Sequence, residues 1–424
     1  MKRILCIVLC LLMLLTFAAC GNSLPGTPLG EKKVEANFNV PTINDKLTWE
    51  KINSFPIKTT DMTIEEARTL CVEFMRFSKT ALYIPNANIT YQLNPTGTMD
   101  KMVKGQIYGG LPYVGLGGCS SIYRVMDYID EETGVVDMTN PQLNPGLFGS
   151  HCSSQTYWAW GRVINSVGHA FTWDIIQNKG YLRVGPYTYD DNQPRFTDTF
   201  STYAICEQNG TQVMCESYAQ MQPADGVVNY RGGGHVMMIS STPVVVYYEN
   251  STIIDPAKSY VTVLDQHQGW EEMTNDAGDT FTAKVNVDGK FTFNDLYSKG
   301  YIPFTYAEFT GEKPIEETEY GFSFTGETVT LDELFVQTAT SNFGISDVYV
   351  TIRNEKGEDL YRHVTRAHEA GHKELKLVRE GNTAFSEGDL SQLNGTYPIE
   401  VKAQLSTGER PVIYSGKITI TSGE

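Results

Sequence analysis

The chain is poor in basic charge, in cysteine and in long apolar segments, and each shortage excludes a class of protein. It has 33 Lys and Arg against 50 Asp and Glu, and its formal net charge is −17. Nucleic-acid binding needs basic patches that neutralise phosphates, so we expect no nucleic-acid partner. Beyond the N-terminal 20 residues, no run is long and apolar enough to span a bilayer. Aromatic residues, by contrast, are plentiful, which indicates a folded chain.

Cysteine is scarce, and its count is odd once the N-terminal segment is set aside. The five cysteines after residue 20 are Cys71, Cys119, Cys152, Cys206 and Cys215. Five thiols cannot all pair within one chain, so at least one is free. Cys71 lies on the apolar stripe of a helix that a capping box opens at Thr63 and Glu66, and we interpret it as a core thiol.

The N-terminus has the features of a secretory signal. A basic start and a long apolar run end in small residues just before Cys20. Residues 17–21 resemble a lipobox, the processing site of bacterial lipoproteins. The resemblance implies a signal peptide over residues 1–19, lipid attachment at Cys20 and a lipid-anchored linker over residues 20–47. We therefore expect an extracytoplasmic chain anchored to a membrane. An ordinary signal peptide with a chance cysteine is the alternative.

Residues 48–312 have the pattern of an α+β domain. Helices are predicted over residues 63–83 and 152–167, and the second is apolar almost all round, which is typical of a buried helix. The predicted strands cover residues 203–208, 213–218, 227–230, 235–240, 244–248 and 260–267. One central helix followed by mostly antiparallel strands is typical of this fold class. Asn209-Gly210 predicts a hairpin whose register argues against a disulfide between Cys206 and Cys215.

Residues 313–424 have the pattern of a small Ig-like β-sandwich. A linker rich in Pro and Glu opens the segment at residues 313–317. The predicted strands cover residues 347–353, 360–365, 374–379, 397–405 and 412–420. Short alternating strands separated by turns favour a sandwich of roughly 100 residues. We expect an accessory domain that positions the first one or binds a surface partner.

Three elements of the first domain carry the residue types of a cysteine hydrolase. Cys152 lies at a predicted helix start, where the exposed N–H groups and the helix dipole favour a thiolate. His235 opens a predicted strand, and an imidazole there can accept the thiol proton. Asp265 and His267 share one face of a further strand, and each is a candidate to orient the imidazole.

Several segments, in chain order, resemble motifs of known cell-wall hydrolases. They are residues 109–118 (GGLPYVGLGG), 152–154 (CSS), 223–228 (PADGVV), 234–236 (GHV) and 260–267 (YVTVLDQH). All but the last resemble NlpC-type peptidases, and the last resembles the strand that carries Glu and Asn in the sister CHAP amidases. Both families are papain-like enzymes that cut amide bonds in bacterial cell walls.

The resemblance implies a role for each matching residue. Cys152 is the nucleophile and His235 the base, while Asp265 matches the orienting Glu and His267 the orienting Asn. Tyr113 matches a tyrosine near the nucleophile. The implied substrate is an amide bond of a peptidoglycan peptide, and the implied chemistry needs no metal or organic cofactor.

The residues beside the nucleophile depart from the family pattern. His151 stands where the family has Asp, and Ser154 where it has Gly. We expect His151 and Ser153 to contribute to substrate binding together with Tyr113. Long insertions before and after Cys152 leave the specificity open, because loops shape the cleft.

Other interpretations remain open from the sequence. Cys119 follows Gly118 in a segment that echoes residues 152–157, and it is a rival nucleophile. His169, just after the predicted central helix, is interpreted as a helix-terminal charge partner. The rival functions are an inactive binding protein on the same fold, an amide hydrolase or transferase acting on proteins, and a zinc peptidase. The zinc peptidase would use His368-Glu369-x-x-His372, although the polar flanks favour a strand end and turn.

Overall fold

The computed structural model describes residues 38–93, 97–115, 120–139, 148–168, 171–377 and 383–421. These residues form an α+β structure that is mostly sheet, with few helices. The predicted signal peptide and Cys20 lie outside the described residues. Within the described part of the chain, no helix has the length and apolar character needed to cross a membrane.

The helices are short, and several begin with a side-chain cap. The α-helices are α1 (Trp49–Ser54), α2 (Ile64–Thr80), α3 (Cys152–Trp160), α4 (Thr202–Tyr218), α5 (Phe293–Ser298), α6 (Ala307–Thr310) and α7 (Leu331–Phe335). Short 3₁₀ turns cover Ile122–Asp127, Ile175–Gln177 and Leu390–Gln392. The capping box predicted at Thr63 and Glu66 is confirmed at the start of α2, and Cys71 is fully buried there, as predicted.

Twelve strands lie before residue 310 in the described residues. They are β1 (Leu82–Pro85), β2 (Ile89–Gln92), β3 (Met99–Met102), β4 (Tyr108–Gly109), β5 (Ile129–Asp130), β6 (Val135–Val136), β7 (Tyr181–Arg183), β8 (Gly226–Tyr230), β9 (Gly234–Ile239), β10 (Tyr260–Thr274), β11 (Thr280–Thr292) and β12 (Ile302–Tyr306). Ten of them form one sheet in the order β5-β6-β1-β4-β11-β10-β9-β8-β12-β7. Its centre, from β11 to β8, is antiparallel.

The helix α3 packs against β9 and β10 at the centre of this sheet. All nine of its residues are buried, as its apolar character predicted. The helix ends at Trp160, earlier than predicted. The hydroxyl of Ser406, from the C-terminal part of the chain, donates a 2.8 Å hydrogen bond to the carbonyl of Gly161. This contact satisfies a carbonyl that a longer helix would use internally.

The C-terminal part consists of two further sheets. Its strands are β13 (Tyr320–Phe322), β14 (Thr328–Thr330), β15 (Thr338–Ser341), β16 (Ile345–Arg353), β17 (Asp359–Arg366), β18 (Glu374–Lys376), β19 (Thr383–Gly388), β20 (Gly395–Leu405) and β21 (Val412–Ile420). Six form one sheet in the order β14-β21-β20-β16-β17-β19, and β13-β15-β18 form the other. Residues of both sheets, among them Ala339 and Val350, share one apolar core.

The hairpin predicted around Asn209-Gly210 is wrong, because this segment is the helix α4. Ser201 caps the helix by accepting a 3.3 Å hydrogen bond from the N–H of Ala204. Gly210 only kinks it, at a φ of +78° that favours glycine. Cys206 and Cys215 are buried free thiols on this helix. The alternating pattern that suggested strands is overridden by packing of the helix against β8 and β12.

Two smaller predictions also need correction. The helix predicted to reach residue 83 ends at Thr80, and β1 begins two residues later. Residues 244–248 form isolated bridges, Val244 with Tyr260 and Tyr247 with Ile254, instead of a strand.

Candidate active site

Cys152 is the first residue of α3, and its position follows from the way that this helix begins. His151 is the N-cap, and its Nδ1 accepts a 3.2 Å hydrogen bond from the N–H of Ser154. Burial lowers the pKa of His151 to about 4, so the imidazole is neutral at pH 7 and able to accept this hydrogen bond. The Ser153 hydroxyl lies 3.0 Å from the same nitrogen. His151 and Ser153, which we expected to bind substrate, therefore hold the start of the helix.

His235 and Asp265 come from the neighbouring strands β9 and β10. Nε2 of His235 lies 3.0 Å from Oδ2 of Asp265. The second carboxylate oxygen accepts a 3.1 Å hydrogen bond from the N–H of Asn286 on β11. Asn229 holds the other side, because its Oδ1 accepts a 2.8 Å hydrogen bond from the N–H of His235. Asn286 thus holds the carboxylate, and Asn229 holds the backbone of the residue that carries the imidazole.

The geometry distinguishes between the two residues that the sequence offered as orienting groups. Asp265 contacts the imidazole of His235, whereas Nδ1 of His267 accepts a 3.1 Å hydrogen bond from the N–H of Gly269. Nε2 of His267 lies 3.4 Å from a carboxylate oxygen of Glu271. His267 is therefore held by its own strand, and Asp265 is the group in contact with His235.

The thiol of Cys152 hydrogen-bonds His235, and the surrounding charges favour its ionised form. Burial by itself raises the pKa of Cys152, but the charge and hydrogen bond of His235, with the N–H groups of Val236 and Ser153, hold that pKa below its usual value. Burial lowers the pKa of His235, but Cys152 and Asp265 outweigh it and raise that pKa. The two shifts together favour a thiolate beside an imidazolium.

The other described cysteines behave in the opposite way. Burial raises the pKa of Cys206 to about 12 and that of Cys215 to about 11. Burial also raises the pKa of Cys71, and more strongly. Cys152 is therefore the one thiol in the described residues whose pKa is shifted toward reactivity, although it is as buried as the rest.

Lys79 is a member of the site that the sequence did not indicate. It lies near the end of α2, is 1% exposed, and its Nζ donates a 3.4 Å hydrogen bond to Oε1 of Gln266. Burial lowers the pKa of Lys79 to about 7, while the charges of Asp265 and Cys152 act to raise it. Near neutral pH this amine therefore supplies a variable positive charge beside two anions. A lone lysine late in an amphipathic helix carries no sequence signal for such a role.

Tyr113 lies beside Cys152. Its segment forms a parallel bridge with Ser150, just before the nucleophile. The Tyr113 hydroxyl contacts Cys152 and Gln268, and burial raises its pKa, so it stays protonated and can donate. Gly110, in the same segment, lies close to the backbone of Lys79: a Cβ there would lie 2.6 Å from the carbonyl oxygen of Lys79, and its φ of +63° favours glycine. Gln268 is a further site residue that sequence reasoning missed.

A stack of three rings begins at His151, the residue before the nucleophile. The ring centroids of His151 and Phe171 are 6.2 Å apart, and those of Phe171 and Trp173 are 4.7 Å apart with nearly parallel planes. Between the two aromatic residues, Thr172 packs so tightly on β9 that a Cβ on Gly234 would lie 2.2 Å from its hydroxyl. The segment therefore covers the residue that precedes His235.

The stack opens into a cleft of about 460 Å³. Trp173 and Tyr230 form its aromatic wall, and Tyr230 pairs with Gly234 across β8 and β9. Arg195 and Asp198 line the same cleft and are exposed. The cleft is thus one residue from His235 along the sheet, and Trp173 of the ring stack lines it. It offers aromatic faces together with both signs of charge.

Two residues that the sequence analysis considered are not described. Cys119, the rival nucleophile, and His169 both lie outside the described residues.

The chain has no match among known proteins in three comparisons. No protein-family model matches it, and no curated protein or solved structure matches it significantly. Its own residues are therefore the grounds on which a function is proposed.

Proposed function

We propose that the chain is a papain-like cysteine hydrolase that cleaves amide bonds with Cys152, His235 and Asp265. One observation carries the proposal: a thiol at a helix start contacts an imidazole that a buried carboxylate holds at 3.0 Å. This is the nucleophile, base and orienting group of a covalent mechanism, in the required order of contact. A helix bearing the thiol, packed on an antiparallel sheet bearing the other two groups, supports the papain-like reading.

The first half of the reaction forms an acyl-enzyme. The Cys152 thiolate attacks the amide carbon, and the electron pair of the C=O bond moves onto oxygen. The N–H of Cys152, at the positive end of the α3 dipole, is the expected donor to that oxyanion. The His235 imidazolium then gives its proton to the leaving nitrogen as the C–N bond breaks. Asp265 accepts a hydrogen bond from the Nε2–H of His235, which leaves the other ring nitrogen for proton exchange.

The second half returns the enzyme to its starting state. Neutral His235 takes a proton from water, and the resulting hydroxide adds to the thioester carbon. Collapse of this adduct releases the carboxylic acid and the Cys152 thiolate, with the proton on the imidazole. No electrons are exchanged with a cofactor, so the chain's own residues suffice for the reaction.

The substrate that we propose is a peptide amide of peptidoglycan. Support comes from the resemblance of residues 109–118 and 152–154 to cell-wall peptidases, and from the shape of the cleft. Trp173 and Tyr230 offer apolar faces to a sugar or side chain, and Arg195 and Asp198 offer charge to a carboxylate and an ammonium group. We place this enzyme outside the cytoplasmic membrane, anchored by lipid on Cys20.

The C-terminal part is proposed to be an Ig-like accessory domain over residues 313–424, following a catalytic domain over residues 48–312. Its two sheets share one core, which supports the sandwich architecture. A role in positioning the catalytic domain, or in binding a surface partner, follows from the architecture alone and stays a proposal.

The test begins with the soluble chain without its signal segment, treated with iodoacetamide across a range of pH. We expect rapid alkylation at Cys152 at neutral pH, mapped by mass spectrometry, and a rate that falls in His235→Ala. Purified peptidoglycan should then release new amine groups with the wild-type chain and none with Cys152→Ala.

The controls separate the alternatives. Cys215→Ala removes an equally buried thiol and should leave alkylation at Cys152 and amide release unchanged. Rapid alkylation at Cys119 alone would move the nucleophile there. Rapid alkylation at Cys152 without release of amines from peptidoglycan would retain the cysteine chemistry and redirect the substrate search to protein amides. A chain without any fast-reacting thiol would contradict the proposal.

A further inference from the structure

The loop between β17 and β18 gathers three side chains that can bind a metal ion. His368, Glu369 and His372 each offer one ligand atom, and these atoms lie within 4.8 Å of one another. Nε2 of His368 is 3.9 Å from one carboxylate oxygen of Glu369, and Nε2 of His372 is 3.8 Å from the other. The two imidazole centroids are 4.8 Å apart. Both histidines thus face one carboxylate.

The backbone of this loop differs from that of a zinc peptidase motif. The segment forms bends and a turn, as its polar flanks predicted, and Gly371 has a φ of +97°. In a peptidase of that type, a helix places both histidines on one face and leaves the glutamate free as the base. Here Glu369 lies between the histidines and is placed to be a ligand.

We propose that His368, Glu369 and His372 bind a divalent transition-metal ion, zinc in the first instance, as a structural clasp and not as a catalytic centre. Two imidazoles and a carboxylate suit zinc, whose bonds to nitrogen and oxygen are about 2.0–2.2 Å. Ligand atoms in a tetrahedral site are then about 3.3 Å apart. The side chains are 41%, 47% and 25% exposed, so they have room to move and close the remaining gap of up to about 1.5 Å.

A second observation concerns His368. Its Nδ1 is buried and has no hydrogen-bond partner among the described residues. A buried ring nitrogen without a partner costs free energy unless something satisfies it. Metal binding would fix the orientation and tautomer of this histidine.

The position of the loop indicates what the ion would stabilise. A Cβ on Gly371 would lie 3.1 Å from the carbonyl oxygen of Gly168 and 3.3 Å from the ring of Tyr157 on α3. The ammonium group of Lys373 donates to the carbonyl of Asn165, and the N–H of Ile345 donates a 2.6 Å hydrogen bond to the carbonyl of His372. The loop is thus held between the C-terminal sheets and the end of the helix that carries Cys152. An ion would fix this contact between the two parts of the chain.

The experiment measures Zn²⁺ binding to the signal-free chain by competition with a chromophoric chelator. All measurements use a Cys152→Ser background, so that the thiol of the candidate active site does not contribute. We expect one equivalent of zinc, and affinity reduced at least about a hundredfold by His368→Ala or His372→Ala, because even outer-shell changes cost about 10–100-fold. Glu369→Gln should weaken binding in the same direction. Glu374→Gln, which removes a neighbouring exposed carboxylate, is the matched control and should bind as before.

Two further readouts separate a structural ion from a catalytic one. Zinc at about a hundred times its Kd should raise the thermal midpoint by about 2–5 °C, and His372→Ala should abolish the rise. A chelator should leave the alkylation rate of Cys152 unchanged in the chain with its native thiol. Zinc affinity unchanged in both histidine variants would overturn the site, and alkylation or hydrolysis lost on chelation would overturn the structural role.

Discussion

Two clusters of buried charge lie in this molecule, and they differ in what their charges can do. One is the candidate active site of Cys152, His235 and Asp265. The other, which we call the seam cluster, is formed by Arg124, Asp127, Asp347, Arg362 and Arg366 between the N-terminal part and the C-terminal sheets. Burial alone therefore does not distinguish a reactive site from a structural one in this chain.

The seam cluster has every charge matched by short, opposed contacts. Nε of Arg124 lies 2.9 Å from Asp347, and Arg366 lies 2.7 Å from Asp347 and 2.9 Å from Asp127. These four side chains are at most 4% exposed. Arginine keeps its proton at any ordinary pH, and the arginines hold the pKa of Asp127 below its usual value, so no proton moves in this network near neutral pH. The seam cluster therefore serves as a rigid connection between the N-terminal part and the C-terminal sheets.

The candidate active site has groups whose protons can move and one edge open to solvent. The side chain of His235 is 22% exposed, whereas that of Asp265 is 4% exposed. The pKa of the Cys152 thiol and that of the Lys79 amine are lowered, while the pKa of the His235 imidazole is raised. The candidate active site is therefore distinguished from the seam cluster by partners that can exchange protons, and not by the depth of burial.

The largest expected effect is loss of hydrolysis in Cys152→Ala. Without the nucleophile the covalent route is closed, so we expect the rate of amide release from peptidoglycan to fall by about 10⁴-fold or more. The urea midpoint should change little, because a single methyl-sized group replaces the thiol. Release that persists in Cys152→Ala while it disappears in a Cys119 variant would reverse the assignment.

A change in the seam cluster should instead lower stability and leave the chemistry of Cys152 unchanged. Replacing Asp127 by Asn leaves Arg362 without its carboxylate and Arg366 with Asp347 alone, which is expected to lower the free energy of unfolding by about 3–5 kcal/mol. Urea denaturation measures it, with the alkylation rate of the folded Cys152 as the second readout, expected to be unchanged. Arg353→Met breaks an exposed pair and should cost about 1 kcal/mol or less. An equal loss of unfolding free energy in Asp127→Asn and Arg353→Met would contradict a structural role for the seam cluster.

The Asp127 carboxylate also makes the stability of the seam cluster depend on pH. Burial raises the pKa of Asp127, but the charges of Arg366 and Arg362 outweigh it and hold that pKa below its usual value. A lowered folded pKa contributes stability above the unfolded pKa of about 3.9, and this contribution is lost as pH falls through the folded value. We expect the wild type to lose more unfolding free energy than Asp127→Asn when acidified below about pH 4.

The sequence predicted those features of the fold and the candidate site that depend on residues close together in the chain. The box at Thr63 and the thiol at the start of α3 depend on neighbours within a few residues, and both were found from the sequence. The pairing of Arg124 with Asp347 joins residues 223 apart, and that of Lys79 with Gln266 joins residues 187 apart. No spacing rule connects such residues, so neither the seam nor Lys79 was predicted. In α4, local alternation favoured strands and tertiary packing decided otherwise.

A comparison of Asp265→Asn with His267→Ala tests which residue orients the imidazole. The first change removes the negative charge at 3.0 Å from Nε2 of His235 and should lower the rate of amide release by about 10²-fold or more. The second removes a side chain held by Gly269 and Glu271 and should change the rate by less than about threefold. A larger loss in His267→Ala than in Asp265→Asn would assign the orienting role to His267.

The smallest expected effect is that of replacing Lys79. It is also the sharpest test of the difference between the candidate active site and the seam cluster. Because burial lowers its pKa to about 7, Lys79 is mostly charged below that pH and mostly neutral above it. Its positive charge stabilises the Cys152 thiolate and the Asp265 carboxylate only while the amine is protonated. Lys79→Met should therefore slow alkylation of Cys152 by roughly tenfold below about pH 6 and leave the rate nearly unchanged above about pH 8.

The control for this prediction is Lys58→Met. Burial also lowers the pKa of Lys58, but this lysine contacts Glu316 and Phe343 instead of the candidate active site. It should leave the pH profile of alkylation unchanged, even if the urea midpoint falls. A parallel loss at all pH values in Lys79→Met would indicate that the side chain only fills space. A loss confined to acid pH would instead show that a buried cation with a movable proton tunes the thiol, a behaviour that the fixed charges of the seam cluster do not permit.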